Sequence, residues 1–354
     1  MSVSAFDHPF LSGLVGDEET AAYFTAAADI KAMLAFEVAL ASSEAAQGSI
    51  PVLAAEHIAE VCAHFAPDME ALRRATARDG VVVPELVRQL REACGSEVGR
   101  HVHKGATSQD VIDTSLMLRL RGVAALLGGR LMRLDDAFAA LDKNFGSDGM
   151  MGHTRMQAAM EIRVSDRIRA WCEPLARHRR RLEAFAEGAL VLQFGGAAGT
   201  LDVLGEEGVV VREALAEDLG LGNHAQWQSQ RDRLGEFAGL LSLITGSLGK
   251  FGQDIALLAE AGSEIELAGG GVSSAMAHKQ NPVAAEVLVS LARFNAVQLS
   301  GMHQALVHEQ ERSGAAWTLE WLVLPQMAVA AGASLRLGLE LADNIRALGN
   351  GRHF

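Results

Sequence analysis

Three short polar stretches hold most of the residues in this chain that could move a proton or grip an anion. The first runs His101-Val102-His103-Lys104-Gly105-Ala106-Thr107-Ser108-Gln109-Asp110 and on to Asp113 and Thr114. The second is Gly152-His153-Thr154-Arg155-Met156-Gln157. The third is Gly271-Val272-Ser273-Ser274-Ala275-Met276-Ala277-His278-Lys279-Gln280-Asn281-Pro282, followed by Glu286. All three are polar and hydroxyl-rich, and each stands where a long apolar helix begins. Every stretch also has a purely local reading. Thr107 with Asp110, and Thr154 with Gln157, have the spacing of helix-capping pairs, and Asn281-Pro282 has the form of an N-cap followed by an N1 proline. His101 and His103 lack further ligands at metal-binding spacing, so no metal is expected. No Gly-Lys-Ser/Thr follows Gly269-Gly270-Gly271, which argues against a phosphate cradle and for a loop whose glycines absorb hinge motion.

The elements that must position these stretches are helical. From Arg231 to Ala261, Leu234, Phe237, Leu241, Ile244, Leu248, Phe251, Ile255 and Leu258 recur at spacings of three and four, the period of a helix face. Comparable stripes run over 163–190, 283–311 and 318–346, and the long helices are expected to begin near Thr107. Aromatics make up 5% and prolines number 7, a composition that favours long helices over sheet. Residues 1–100 carry shorter segments broken at Gly48, Pro51, Pro67, Gly80 and Pro84. The expected organisation is therefore a small N-terminal helical domain over 1–100, a central long-helix bundle over 101–346, and a tail over 347–354. Their Ala- and Gly-rich faces would allow close packing and association with other subunits.

Composition narrows the function. The 354 residues carry a net charge of −13, which argues against wrapping nucleic acid or an anionic membrane. Cys62, Cys94 and Cys172 are sparse and show no ligand spacing, as suits a reducing compartment. The start has no basic region followed by an apolar one, and no uninterrupted apolar run approaches about 20 residues. A soluble, cytosolic, globular protein is the expectation.

Taken together the stretches resemble the fumarase/aspartase superfamily. Its loop usually reads Gly-Ser-Ser-x-Met-Pro-x-Lys-x-Asn-Pro; here Ser273, Ser274, Met276, Lys279, Asn281 and Pro282 match, with Val272 and Ala277 as departures. Gly195-Gly196-Ala197-Ala198-Gly199-Thr200-Leu201, Gln230-Arg231-Asp232-Arg233 and Met33 through Ala41 are similar to the branch holding the 3-carboxy-cis,cis-muconate cycloisomerases and adenylosuccinate lyase-like proteins. The resemblance implies an all-α, long-helix bundle of the fumarase/aspartase type. It also implies a homotetramer with a central helical core and active sites shared between subunits, working without a cofactor. The family's C-terminal third domain would follow about residue 345, so with the chain ending at Phe354 that domain is expected to be absent.

The resemblance also assigns roles. Ser273 matches the superfamily's base, and Lys279 and Asn281 are placed to hold an aci-carboxylate. Where many members have a histidine that protonates the leaving group, this chain has Arg155, with His153 two residues earlier; Glu286 matches that histidine's partner. An arginine cannot act as a general acid near neutral pH. A departing carboxylate, unlike an amine, needs no proton, so Arg155 favours lactonisation of a tricarboxylate. His103, Lys104, Thr107, Ser108, His153, Thr154, Gln157, Arg231, Ser274 and Met276 are the expected substrate ligands. A fumarate-releasing lyase of the same superfamily and a catalytically silent helical scaffold remain as alternatives, as does His153 taking the acid role.

Overall fold

The computed structural model describes residues 4–272, 276 and 280–350. The N-terminal part carries α1 (Ser12–Val15), α2 (Glu18–Ala22), α3 (Ala26–Ala46), α4 (Val52–His64), α5 (Met69–Asp79), α6 (Val83–Ala93) and α7 (Gly95–Val98). Then come α8 (Ser108–Phe145), α9 (Val164–Gly188), the shorter α10 (Gly208–Leu219), α11 (Asp232–Ala261), α12 (Val283–Gln304) and α13 (Gly314–Asp343). The stripes read from sequence become α9, α11, α12 and α13, with α12 ending at Gln304 rather than at residue 311. The described strands form two-stranded antiparallel pairs: β1 (Gly149–Thr154) with β2 (Gln157–Arg163), β3 (Ile265–Leu267) with β6 (Ile345–Leu348), and β4 (Gly271–Val272) with β5 (Gln280–Asn281). The fold is the all-α long-helix bundle that the sequence predicts.

Side-chain contacts fix the direction of each long helix. Near the end of α8, Phe138 lies 5.8 Å from Trp171 of α9 and 4.9 Å from Phe251 of α11. At the other end of α9, Phe185 stacks 4.7 Å from Phe237, early in α11. Thus α8 and α11 run one way and α9 returns between them. All five rings are buried, and truncating one such aromatic to alanine typically costs about 3–5 kcal/mol. Helix α12 also returns along α11, closely enough that a Cβ on Gly252 would lie 2.5 Å from the Ala285 carbonyl oxygen. Helix α13 then follows the direction of α8.

The alternation gives the bundle two poles. One gathers the start of α8, the segment after α9, the start of α11 and the turn between α12 and α13. The other gathers β1–β2, the segment from α11 to α12, and β6. With 38 residues, α8 spans about 57 Å between them at 1.5 Å per residue.

The buried apolar side chains form one cluster from Met33 to Leu348, continuous across residue 100, because α3 packs on α8 and α10. Helix α13 is apolar (mean hydropathy 1.4 in its most apolar window) and 72% of that window is buried, as befits the bundle's core. Helix α12 is nearly as apolar at 1.2, yet only 28% of its window is buried, and Val297 on it is 71% exposed.

Candidate active site

At the first pole, Asp110 of α8 organises three segments. Its Oδ1 accepts from Gln193 Nε2 (3.0 Å) and Gly195 N–H (2.9 Å), and its Oδ2 from Gly196 N–H (2.9 Å) and Thr107 N–H (3.0 Å). Burial pushes this carboxyl up to about 6 even against those donors. A carboxylate offers about four acceptor positions, so Asp110 is fully engaged in holding the loop 193–196 to the start of α8. Gly196 is needed there: its φ is +69°, and a Cβ would meet the Gly105 carbonyl oxygen at 3.1 Å. The capping reading of Thr107 and Asp110 is therefore realised, in a contact that also assembles the pole.

One turn further along α8, Asp113 meets Arg231. The guanidinium donates to Asp113 at 2.5 and 3.0 Å and to Glu320 of α13 at 2.8 and 2.6 Å, with the Trp227 ring 4.6 Å away. Trp317 Nε1 and Gln109 Nε2 also donate to Asp113, both at 3.1 Å. Burial would depress the arginine, but the carboxylates outweigh it and raise its pKa; Arg231 in turn holds Glu320 low despite burial. Arg231 is 1% exposed. Four of its five N–H donors go to the two carboxylates, so within one chain it ties α8, α11 and α13 together instead of facing open space as the expected substrate ligand would.

Arg312, in the turn between α12 and α13, was not singled out from the sequence. Its Nε donates to Gln109 Oε1 (3.0 Å) and its Nη2 to Thr107 Oγ1 (3.3 Å) and the Ala197 carbonyl (3.2 Å). All three acceptors are neutral, and the residue is exposed. It is therefore a net positive charge presented beside the Thr107–Ser108 helix start. The available signal was the short polar run Glu309-Gln310-Glu311-Arg312-Ser313 between two apolar stretches.

His103 Nδ1 lies 2.7 Å from Glu37 Oε1 of α3. Burial alone would depress this imidazole, but the Glu37 carboxylate outweighs it and holds the group above its usual range. Lys104 Nζ donates to the Ser49 carbonyl (2.8 Å), and Ser108 is half-buried in the first turn of α8. Beneath them Glu44 is fully buried with no hydrogen-bond partner on either oxygen among the described residues, and burial pushes its carboxyl up to about 8.

The second stretch lies at the opposite pole, in a hairpin. Thr154 pairs with Gln157 across the turn, and Arg155 and Met156 occupy its two central positions with φ of +46° and +63°. Positive φ at both central positions marks the tight turn whose twist suits a hairpin. The capping reading of Thr154 and Gln157 is corrected accordingly. His153, Thr154, Arg155 and Gln157 are all exposed, with His153 Nδ1 3.2 Å from the Met151 carbonyl and Gln157 Nε2 donating to Met156.

The third stretch sits at this second pole too. Asn281 pairs with Gly271 in β4–β5 rather than capping α12, whose N-cap is Pro282. Glu286 is exposed on α12 and Met276 is 45% exposed. Ser273, Ser274, His278 and Lys279 lie outside the described residues. Among the described residues neither Arg155 nor Glu286 forms an ion pair, so the expected contact between them is not made within one chain. Nor does one chain unite the stretches, since α8 separates the first from the other two.

Comparison with known proteins agrees with this architecture. A family model described as lyase matches residues 15–301, and the chain belongs to that lyase family. More narrowly, it is 40% identical over 332 residues to a protein of Pseudomonas aeruginosa named 3-carboxy-cis,cis-muconate cycloisomerase, covering 92% of this chain and 72% of the relative. The solved 3-carboxy-cis,cis-muconate lactonizing enzyme of Pseudomonas putida superposes with a TM-score of 0.89 at 36% identity, over 96% of this chain and 77% of the other. A fumarate lyase from Mesorhizobium gives 0.88 at 33%, over 94% and 76%.

Proposed function

We propose that this chain is an enzyme that cyclises 3-carboxy-cis,cis-muconate to 4-carboxymuconolactone. The observation that carries the reading is the whole-chain likeness to cycloisomerases, together with Arg155 where the superfamily's acid-donating histidine usually stands. One substrate carboxylate adds across the conjugated double bond, and the electrons collect on another carboxylate as an aci-carboxylate. Protonation of the α carbon completes the lactone, so the trianion takes up one proton and leaves as a dianion. The attacking carboxylate needs orientation and charge balance, which Arg155 with Glu286 would give; no acid is required at that oxygen. Lys279 and Asn281 would stabilise the aci-carboxylate, and Ser273 would deliver the carbon-bound proton. Arg312, His103, Lys104, Thr107 and Ser108 would hold the remaining carboxylates.

This assignment needs both poles. A separation of about 57 Å is bridged only if copies associate with one chain's first pole against another's second, and a homotetramer with shared sites fits that demand. Exposed Met156 and Met160 on the hairpin, and Leu243, Val297 and Leu322 on the long helices, are apolar surface that such association would cover.

The test is ultraviolet absorbance of 3-carboxy-cis,cis-muconate with the purified protein. Loss of the conjugated-diene absorbance is expected, with uptake of one proton per turnover, and Lys279→Ala should abolish it. Mixing unfolded-and-refolded Lys279→Ala and Arg312→Ala variants should raise activity well above that of either alone, because each mixed assembly holds some intact sites. No absorbance change would overturn the reading, and fumarate release from succinyl adducts would replace it. Arg155→His cyclising as fast as wild type would refute the role given to Arg155.

A further inference from the structure

We propose that Glu37, on α3 and 66 residues from the motif it serves, is a positioning residue that makes His103 a fixed, proton-bearing donor for a substrate carboxylate. This rests on the cycloisomerase reading and adds to it a residue that touches no substrate. Glu37 is 2% exposed and shares its helix face with the core residues Met33, Phe36 and Leu40, a poor place for a carboxylate unless something uses its charge. Its Oε1 lies 2.7 Å from His103 Nδ1, while Oε2 has no partner among the described residues. An imidazole that gives its Nδ1–H to a carboxylate has its tautomer and ring plane fixed, leaving Nε2 as the working nitrogen. No protein acceptor takes Nε2 among the described residues.

The backbone at His103 shows the same constraint. Its φ is +61°, in the left-handed region that side chains disfavour, only four residues before Thr107 starts α8. The Glu37 bond holds the ring in that conformation. The charged and titratable groups around it are Glu37 and Glu44 from α3, Asp110 from α8, Arg91 from α6, and the adjacent Lys104. Glu44, pushed up to about 8 by burial, keeps its proton near neutral pH, and Asp110 is occupied by its four N–H donors. Glu37 is therefore the carboxylate that decides His103. For a reaction that draws a trianion into an acidic protein and consumes a proton, an imidazolium that survives to higher pH than a free histidine extends the working range.

The experiment uses the intact enzyme. Nitrogen-15 resonances of histidine would be titrated in wild type, Glu37→Gln and Glu37→Asp, with the His103 signal identified by its loss in His103→Gln. Glutamine can still accept the Nδ1–H but carries no charge. The His103 midpoint in Glu37→Gln should fall by about one pH unit or more, a tenfold change in protonation. The basic limb of kcat/KM should move down with it, mostly through KM, and Glu37→Asp should recover part of both shifts. An unmoved His103 titration in Glu37→Gln overturns the proposal. So does a loss of kcat/KM equal at every pH with a lowered Tm, which would mark Glu37 as packing only. The titration needs no turnover, so an inactive wild type would sink the cycloisomerase reading while the coupling of Glu37 to His103 is still decided.

Discussion

Two arginines abut the start of α8 within one helical turn of each other, and their surroundings are opposite. Arg231 meets two carboxylates, those of Asp113 and Glu320, and is 1% exposed. Among the described residues Arg312 donates to an amide oxygen, a hydroxyl and a peptide carbonyl, and it is open to solvent. Gln109 joins them, giving its Nε2 to Asp113 on one side and its Oε1 to Arg312 on the other. An arginine enclosed by carboxylates has its charge consumed inside the protein. An arginine held by neutral acceptors is oriented just as firmly and keeps its charge for an incoming anion. Counting cations in a sequence therefore says little about where an anion binds; the charge of each cation's partners decides.

The sharpest way to break the contrast is to remove each arginine in turn. Arg231→Leu leaves two buried carboxylates facing each other, and should destabilise the fold by about 3–5 kcal/mol in urea unfolding. Replacing Asp113 and Glu320 by apolar residues in the same chain should recover most of that loss, since the penalty comes from unpaired charge. Arg312→Ala should leave urea unfolding within about 0.5 kcal/mol of wild type, yet lower kcat/KM about a hundredfold by removing a charge-assisted contact to substrate. If Arg312→Ala is fully active, Arg312 is not a substrate ligand and the contrast loses its functional half.

Glu44 extends the comparison to a buried carboxyl that has no hydrogen-bond partner among the described residues. Burial lifts its carboxyl to about 8 from an ordinary 4.5. A group raised in the folded state contributes stability fully below its unfolded value and loses it as pH rises through the folded one, because the native protein holds a proton that the unfolded chain releases. The window is therefore from about pH 4.5 to about pH 8. Glu44→Gln removes the penalty of ionisation, and should stabilise the protein by roughly 4 kcal/mol at the upper end of that window and by almost nothing at the lower. Thermal unfolding across the window checks this; a constant difference between the two proteins would mean that Glu44 does not titrate there.

The sequence was most informative where a pattern repeats. Apolar residues every three or four positions announced α9, α11, α12 and α13, because a long helix must bury one continuous stripe and cannot hide its period. The helix start at Thr107 was legible for a related reason, as capping is a contact between near neighbours. Short-range patterns failed where two structures share one local signature. Thr154 and Gln157 have capping spacing, but with Arg155 and Met156 at positive φ they close a hairpin instead. Asn281 has N-cap chemistry, yet strand pairing with Gly271 claimed its backbone.

What the residues are was thus settled by the sequence, and with it the family, the bundle and the types of group available for chemistry. Whether a charge is spent or free was settled only by tertiary structure. Arg231 lies far in sequence from both of its carboxylates, Arg312 from all three of its acceptors, and His103 from Glu37; no local period records such pairings. The length of α8 decided the widest spatial relation. It sets the first stretch at one pole and the other two at the opposite one, since a helix of 38 residues is rigid and about 57 Å long.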